Sequence, residues 1–370
     1  MIHDIIVIGA GMAGASTAYE LADDASVLLL EGEAQPGYHS TGRSAALFTR
    51  NYGSAVVRRI NALSEPFFRD PPDGFVDGPL LRSRGALAIA PPGSEDRLDA
   101  ILAAGTEADP VKELPPVDAL AMVPFLRPER VARAAFEPGV TDIEVAALLQ
   151  GYLRGFRRRQ GTVATGATVT ALARSGGVWT VSTDKATFRA RLLVNAAGAW
   201  ADTVGAMAGA RPIGLVARRR TAIVVDAPSG LQVAGLPCVD FAEGDAYIKP
   251  EAGRLMASPG DGTPDTAQDV RPDEMDIAVL VDWIGRATTI EVRRIAHSWA
   301  GLRCFVPDEG PVVGRDPEVE DFVWNAGQGG YGIMMAPTLA RAAASVCLDR
   351  SAPDDFAAAG LALADLAPGR

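Results

Sequence analysis

Three glycines and one acid near the start of the chain have the types and the spacing to hold a dinucleotide. Gly9, Gly11 and Gly14 follow the apolar run Ile5-Ile-Val-Ile8, and Glu31 closes a second run, Val27-Leu-Leu-Leu30. The glycines act differently. Gly9 permits a tight turn, Gly11 lets the backbone approach a pyrophosphate, and Gly14 lets a helix pack close to a strand. The phosphates then lie at a helix N-terminus, where unpaired N–H groups and the dipole favour negative charge. Glu31 stands at about the twenty-residue spacing from which a carboxylate accepts hydrogen bonds from ribose hydroxyls. The same carboxylate repels a 2′-phosphate, which argues against NADP.

Those residues work only where a strand, a glycine turn, a helix lined with small residues and a second strand bring them together, and Asp4 to Glu31 has that pattern. The loop Gln35 to Ser44, rich in glycine and hydroxyl residues, is either a wrap for a phosphate or ribityl chain or a plain surface connection. From Asn61 to Ala121 the prolines punctuate short runs that read as strands and turns. Thr141 to Gln160 is predicted helical, with Leu148, Leu149, Leu153 and Phe156 on one face, and strands are predicted over Val163 to Leu172 and Trp179 to Ser182. Ala190 to Trp200 is an apolar strand ending in small residues, suited to a second close approach to a ligand. Val216 to Asp226, Ala246 to Pro250 and Arg254 to Ala257 read as strands of a second domain, and Glu274 to Ala287 as its helix. Phe322 to Leu348 is again strand, glycine turn and helix, so the chain returns at its end to the nucleotide domain.

With 370 residues the chain exceeds one compact core and suits two packed domains. Hydrophobic residues make up 48% and charged ones 22%, as in ordinary globular proteins. The net charge of -11 leaves no basic face, which excludes a nucleic-acid partner. Cys238, Cys304 and Cys347 are few, odd in number and widely spaced, which fits a reducing cytoplasm, and no metal-ligand pattern occurs. The first residues run straight into a strand without a basic n-region, and no uncharged run is as long as a membrane span. A cytoplasmic protein is therefore expected, with peripheral membrane contact left open.

Four motifs carry a family likeness: the opening glycines, Asn195-Ala-Ala-Gly-Ala-Trp200, Trp299-Ala-Gly-Leu-Arg303 and Gly327-Gln-Gly-Gly-Tyr-Gly332. Together they resemble the D-amino-acid oxidase superfamily of FAD enzymes, nearly end to end. Tyr38 to Ala46, Gln150 to Gly155 and Gly327 to Ile333 are most similar to its D-arginine dehydrogenase members. The resemblance implies an α/β fold: a Rossmann-like FAD-binding domain, with the layers of glutathione reductase, from 1–85, 140–215 and 296–370, and an α+β substrate domain on a mixed sheet from 86–139 and 216–295. It also implies cofactor roles by position. Gly9, Gly11, Met12, Ala13, Gly14, Glu31 and Gly32 would hold the ADP half, with Val169, Ala197, Gly198 and Trp200 around it. Ser40, Thr41, Gly42, Arg43, Ser44, Ala45, Ala46 and Leu47 would track the pyrophosphate and ring. Gly329, Gly330, Tyr331, Gly332 and Ile333 would face the pyrimidine end, where N–H groups stabilise negative charge.

By the same resemblance Tyr52, Arg220, Tyr247 and Arg303 contact the substrate, with Leu47, Ala86, Gly330 and Tyr331 shaping its pocket. A guanidinium binds an α-carboxylate through two hydrogen bonds and phenol hydroxyls add direction. The plainer alternatives put Arg220 in a basic run on an exposed strand and pair Arg303 with Asp308 or Glu309. The implied reaction is hydride transfer from Cα of an amino acid to flavin N5, followed by hydrolysis of the imino acid to a 2-oxo acid and ammonia. Its electrons go to oxygen, a quinone or an electron-transfer protein. Ala86 and Leu47 stand where the D-arginine enzymes carry a glutamate and a histidine, so an apolar wall and neutral or hydrophobic D-amino acids are expected. Glycine, sarcosine or a 2-hydroxy acid would use the same clamp and is the alternative. The FAD is expected to be held without a covalent link. Cys304, near the position of a flavin-tethering cysteine in sarcosine-oxidase-like proteins, is the alternative tether, against a plain buried thiol.

Overall fold

A computed structural model describes residues 1–244 and 246–370. The first half of the chain supplies β1 (His3–Ile8), α1 (Met12–Leu21), β2 (Val27–Leu30), β3 (Leu47–Phe48), α2 (Ala55–Arg69), β4 (Leu81–Ser83) and β5 (Ala86–Ala90). Next come α3 (Arg97–Ala104), β6 (Lys112–Leu114), α4 (Pro116–Met122), β7 (Arg133–Glu137), β8 (Thr141–Ile143), α5 (Val145–Arg158) and β9 (Thr162–Ala164). They are followed by β10 (Val169–Ser175), β11 (Val178–Thr183), β12 (Thr187–Asn195), α6 (Ala201–Met207), β13 (Val216–Val225), β14 (Cys238–Phe241) and β15 (Tyr247–Glu251). The remainder is β16 (Arg254–Ser258), β17 (Pro264–Asp265), α7 (Glu274–Ala287), β18 (Ile295–Phe305), β19 (Val312–Arg315), β20 (Phe322–Ala326), α8 (Gly332–Cys347) and α9 (Asp354–Ala358).

The strands form two main sheets. In the first, β20, β12, β1, β2 and β9 lie side by side and parallel, so their C-terminal ends open on one edge. Such strands are covered on both faces and read as continuous apolar runs, as Ile5 to Ile8 and Val27 to Leu30 do. One face packs on α1, α5 and α8 through Val7, Ala15, Leu149, Tyr152 and Met334, and the other through Ile6, Trp179, Val204 and Trp324. In the second sheet β18, β13, β16, β15, β14, β5, β7 and β6 succeed one another, antiparallel except for the β14–β5 pair. Its far face is closed by α7 through Leu280 and Ile284.

Three expectations change. The strand Ile295–Phe305 belongs to the second sheet, paired with β13 along its length, and not to a nucleotide-domain segment 296–370. The return to the first sheet begins instead with β19 and β20. The start of the helix predicted from Thr141 is a short strand, Thr141–Ile143, because this segment hydrogen-bonds β3 and β4 before α5 begins at Val145. The region after Asn61, with its expected strands and turns, starts inside α2. That helix buries Asn61, Ser64 and Glu65 beside Val57, Ile60 and Phe68, which breaks the apolar period, and it satisfies Ser64 through Thr338 Oγ1 at 2.7 Å.

Candidate active site

The site lies where the C-terminal ends of β1, β2 and β12 meet the near face of the second sheet. Gly9 has φ +100°, and a Cβ there would stand 2.5 Å from the Ala196 carbonyl oxygen. A Cβ on Gly14 would run into the Gly9 carbonyl, so turn and helix fit only as glycines. The 3-10 turn Ser40–Arg43 sits over the start of α1: the Met12 N–H donates to Thr41 Oγ1 at 3.0 Å, and a Cβ on Gly11 would lie 3.3 Å from that oxygen. α1 has no side-chain cap and no acid in its first turn, which leaves backbone donors facing the cavity. Glu31 accepts one N–H at each carboxylate oxygen, from Ala10 and from Glu33, both at 2.9 Å, so each oxygen keeps a free lone pair. Burial pushes its carboxyl above the ordinary range.

Two adjoining cavities share Gly11, Ser40, Thr41, Ala196 and Gly198, and so form one long channel. Its first half is lined by Gly9, Glu31, Gly32, Val169, Ala197 and Trp200 among others. Its second half takes in Met12, Ala13, Arg43, Ser44, Ala45, Gly329, Gly330, Gly332 and Ile333, together with Arg220, Tyr247 and Arg303. Gly14 and Gly42 support the channel from behind; the Gly42 N–H donates to the Gly37 carbonyl at 2.8 Å. Ala46 holds φ +53° and accepts the Ile143 N–H at 2.8 Å, outside the lining. The Arg43 guanidinium braces the turn against β18, donating to the carbonyls of Ala300 at 3.0 Å and Val270 at 3.1 Å and pairing with Asp269.

Strand periodicity explains the substrate end. On β13, Arg219 turns to the far face and meets Asp276 at 3.2 Å, while Arg218 and Arg220 turn to the near face. Arg218 pairs with Glu309 at 3.5 Å and lies over Phe305. Arg303 is opposite Arg218 across the β13–β18 pair, and Arg220 is opposite Gly301, so Arg220 and Arg303 are neighbours on one face. Asp308 is taken by Arg370 at 2.9 Å, so neither acid proposed as a partner for Arg303 reaches it. Among the described residues neither guanidinium has an ion-pair partner, and Arg220 Nε is buried without an acceptor. Burial first, and the charge of Arg303 second, lower the Arg220 pKa. Two like charges held together in a cavity call for an anion. Arg303 lies against Gly330, where a Cβ would stand 3.2 Å from Nη1.

The phenols surround this pair. Tyr247 faces it from β15, opposite Ser258 of β16; burial raises its pKa, and Arg303 and Arg220 oppose that rise. Tyr52, which is 49% exposed, and half-buried Tyr331 meet edge to face with ring centres 5.2 Å apart, forming a rim rather than part of the lining. Leu47 and Ala86 also lie outside the lining, on β3 and β5. The apolar wall expected from Ala86 is not what surrounds it. Glu137 stands directly across the strand pair from Ala86 on the same face, so the missing carboxylate has moved one strand over.

Several lining residues escape a reading of the sequence. Gly301, Ala222 and Met256 line the flavin end, and stepping by two from Arg303 and Arg220 would have found the first two. Gln328 donates to Asn325 Oδ1 at 2.7 Å, while Asn325 Nδ2 reaches Thr17 Oγ1 at 2.8 Å. His39 packs at a tilt against Trp200 with ring centres 4.7 Å apart and meets Glu33 at 2.9 Å. Gln328 and His39 lie inside motifs that carry the family likeness, but their pairing with Asn325 and Trp200 is not marked by any local pattern.

Residues 4–346 match the FAD-dependent oxidoreductase (DAO) family. The chain belongs to that family. Mitochondrial dimethylglycine dehydrogenase of Homo sapiens is 27% identical over 358 residues, 90% of this chain and 41% of that protein, so the chain spans about two fifths of this relative's length. Glycine oxidase of Geobacillus kaustophilus (strain HTA426) is 23% identical over 350 residues, 90% of each. The crystal structure of glycine oxidase from Geobacillus kaustophilus superposes with a TM-score of 0.83 at 22% identity, covering 100% of this chain and 98% of that one, a likeness of fold. The finer likeness to D-arginine dehydrogenases therefore gives way to the family as a whole, whose matched members carry these other names.

FAD is the cofactor of this DAO-family chain, and the channel fits it. Glu31 and the start of α1 would hold the adenosine and pyrophosphate, and the uncapped start of α8, with Gly329 to Gly332, would face the flavin ring. When bound, FAD supplies a two-electron acceptor. Cys304 follows Arg303 on β18, packs among Ala217, Val270 and Leu302, and borders the flavin half of the channel. Burial pushes its thiol up to about 12, which keeps it protonated and a poor tether. Among the described residues no group of acids, histidines and cysteines could hold a metal, and no helix is long and apolar enough to cross a membrane.

Proposed function

We propose that the chain oxidises the C–N bond of an amine that carries a carboxylate, with α-amino acids of D configuration as the first candidates and 2-oxo acids and ammonia as products. One observation carries this reading: Arg220 and Arg303, half-buried and without acidic partners among the described residues, face the flavin end of the channel. They bind and orient the carboxylate, and Tyr247 adds a directional hydrogen bond. Tyr52 and Tyr331, at the rim, shed water from the substrate once it is seated. No residue needs to act as a nucleophile, because the acceptor of the electrons is the cofactor.

The names of the relatives support a second reading on the same clamp, an N-methylated glycine or glycine itself. Anaerobic bleaching of the flavin against D- and L-amino acids, glycine, sarcosine, dimethylglycine and 2-hydroxy acids separates the two. Bleaching by D-amino acids supports the first. Bleaching by sarcosine or dimethylglycine alone replaces it with the second, and bleaching by 2-hydroxy acids alone removes both.

A further inference from the structure

We propose that the substrate site has a second, acidic pole, in which Asp240, backed by Glu137, receives a cationic group at the far end of the substrate. This rests on the carboxylate clamp argued above and names the substrate class: basic amino acids such as lysine, ornithine or arginine rather than the neutral ones that Ala86 alone suggests.

The placement follows from register. Asp240 is opposite Tyr247 across the β14–β15 pair and beside Ala88 of β5, and Glu137 is opposite Ala86 across β5–β7. Residues opposite one another project from the same face, so Glu137, Asp240 and Tyr247 share the face that also presents Arg220 and Arg303. Glu137 is fixed by the loop that carries Tyr52: its Oε1 accepts from Thr49 Oγ1 at 2.6 Å and from Asn51 Nδ2 at 3.0 Å. Three strand steps of about 4.8 Å part the strand of Arg220 from that of Asp240, roughly 14 Å between backbones. Two side chains and a lysine-sized substrate bridge that gap.

The acid lacks what normally accompanies a half-buried carboxylate. Among the described residues Asp240 has no ion pair and no side-chain hydrogen bond, and the surrounding cations are committed elsewhere. Lys249 goes to Asp142 at 3.1 Å, Arg84 to Asp142 at 2.5 Å, and Arg50 to Glu65 and Asp109. Its one charged neighbour of consequence is Glu137, and burial together with that like charge pushes Asp240 up to about 7. A carboxylate left without a cation is costly to bury. The clamp has the complementary shortage, two cations without an anion. A molecule with a carboxylate at one end and a cation at the other satisfies both.

The test compares D-lysine, D-arginine and D-ornithine with their neutral counterpart D-norleucine on the FAD-loaded enzyme. Wild type should favour the cationic substrates in kcat/KM by at least about tenfold, and Asp240→Asn should cut the D-lysine to D-norleucine ratio about 10- to 100-fold. A wild type that prefers D-norleucine, or a ratio unmoved in a folded Asp240→Asn, overturns the proposal. Competition keeps this question apart from the identity of the oxidised substrate. Even if sarcosine is what bleaches the flavin, D-lysine should inhibit its oxidation more strongly than D-norleucine, and equal inhibition overturns the acidic pole while leaving the clamp intact.

Discussion

The main-chain N–H of Gly329 donates to the carbonyl of Cys304 at 2.8 Å, so the glycine turn of the first sheet and the strand that carries Arg303 are fastened backbone to backbone. A shift of β18 therefore moves the clamp and the flavin end of the channel together. Gly330, close against the Arg303 side chain, completes the joint.

Replacing Arg303 by methionine keeps most of the side-chain volume and removes the charge. The expected result is a loss of about 100- to 1,000-fold in kcat/KM with normal FAD content, roughly 3–4 kcal/mol of carboxylate pairing and positioning. Arg220→Met should behave similarly but also relieve the repulsion between the two guanidiniums, giving a slightly more stable apo-site in thermal melts. Near wild-type kcat/KM in both variants removes the clamp.

Gly14→Ala tests the nucleotide end. The added Cβ has nowhere to go except into the Gly9 carbonyl, so α1 must separate from β1. FAD per chain should fall well below one, and stability should drop by about 1–3 kcal/mol or more. A yellow, stoichiometric Gly14→Ala protein contradicts the close packing.

Asp240 supplies a pH signature without substrate. Its pKa in the fold is about 7 against an ordinary value of 3.8, so the folded state binds the proton more tightly and wild-type stability falls as pH rises between those values. Asparagine carries no such linkage. The unfolding free energy of Asp240→Asn should gain on that of wild type from about pH 4 to pH 7 and then level, by about 4 kcal/mol at most for the full shift from 3.8 to about 7. Cys238, Tyr247, Lys249 and Asp142 adjoin the same region and are common to both proteins, whereas Glu137, freed in the variant from the like charge of Asp240, adds to the margin in the same direction. A margin independent of pH refutes the assignment.

Acid-precipitated protein should be colourless, with all FAD in the supernatant, and Cys304→Ala should keep its flavin. Colour in the pellet that disappears with Cys304→Ala would mean a covalent tether.

The parts of this site that were legible in the sequence are those set by local backbone rules. Gly9, Gly11, Gly14 and Glu31 act within one βαβ unit, so spacing alone finds them. The likeness of longer motifs located Arg220, Tyr247 and Arg303. Asp240 and Glu137 were out of reach because their meaning depends on which strand lies beside which, and β14 pairs with β5 across about 150 residues of chain. Helix α2 is hidden for a related reason: its buried polar face makes sense only against α8, where Ser64 finds Thr338.

Asn325 Nδ2 reaches Thr17 Oγ1 across 308 residues of sequence, joining the strand before the last glycine turn to the first helix. During synthesis α1 and its glycine turn leave the ribosome long before β20 and α8 exist. The parallel sheet must wait with an open edge beside β12, an arrangement of high contact order that folds slowly and exposes apolar strands meanwhile. Supply of FAD at the moment of release, rather than during elongation, should then govern how much of the newly made chain escapes aggregation.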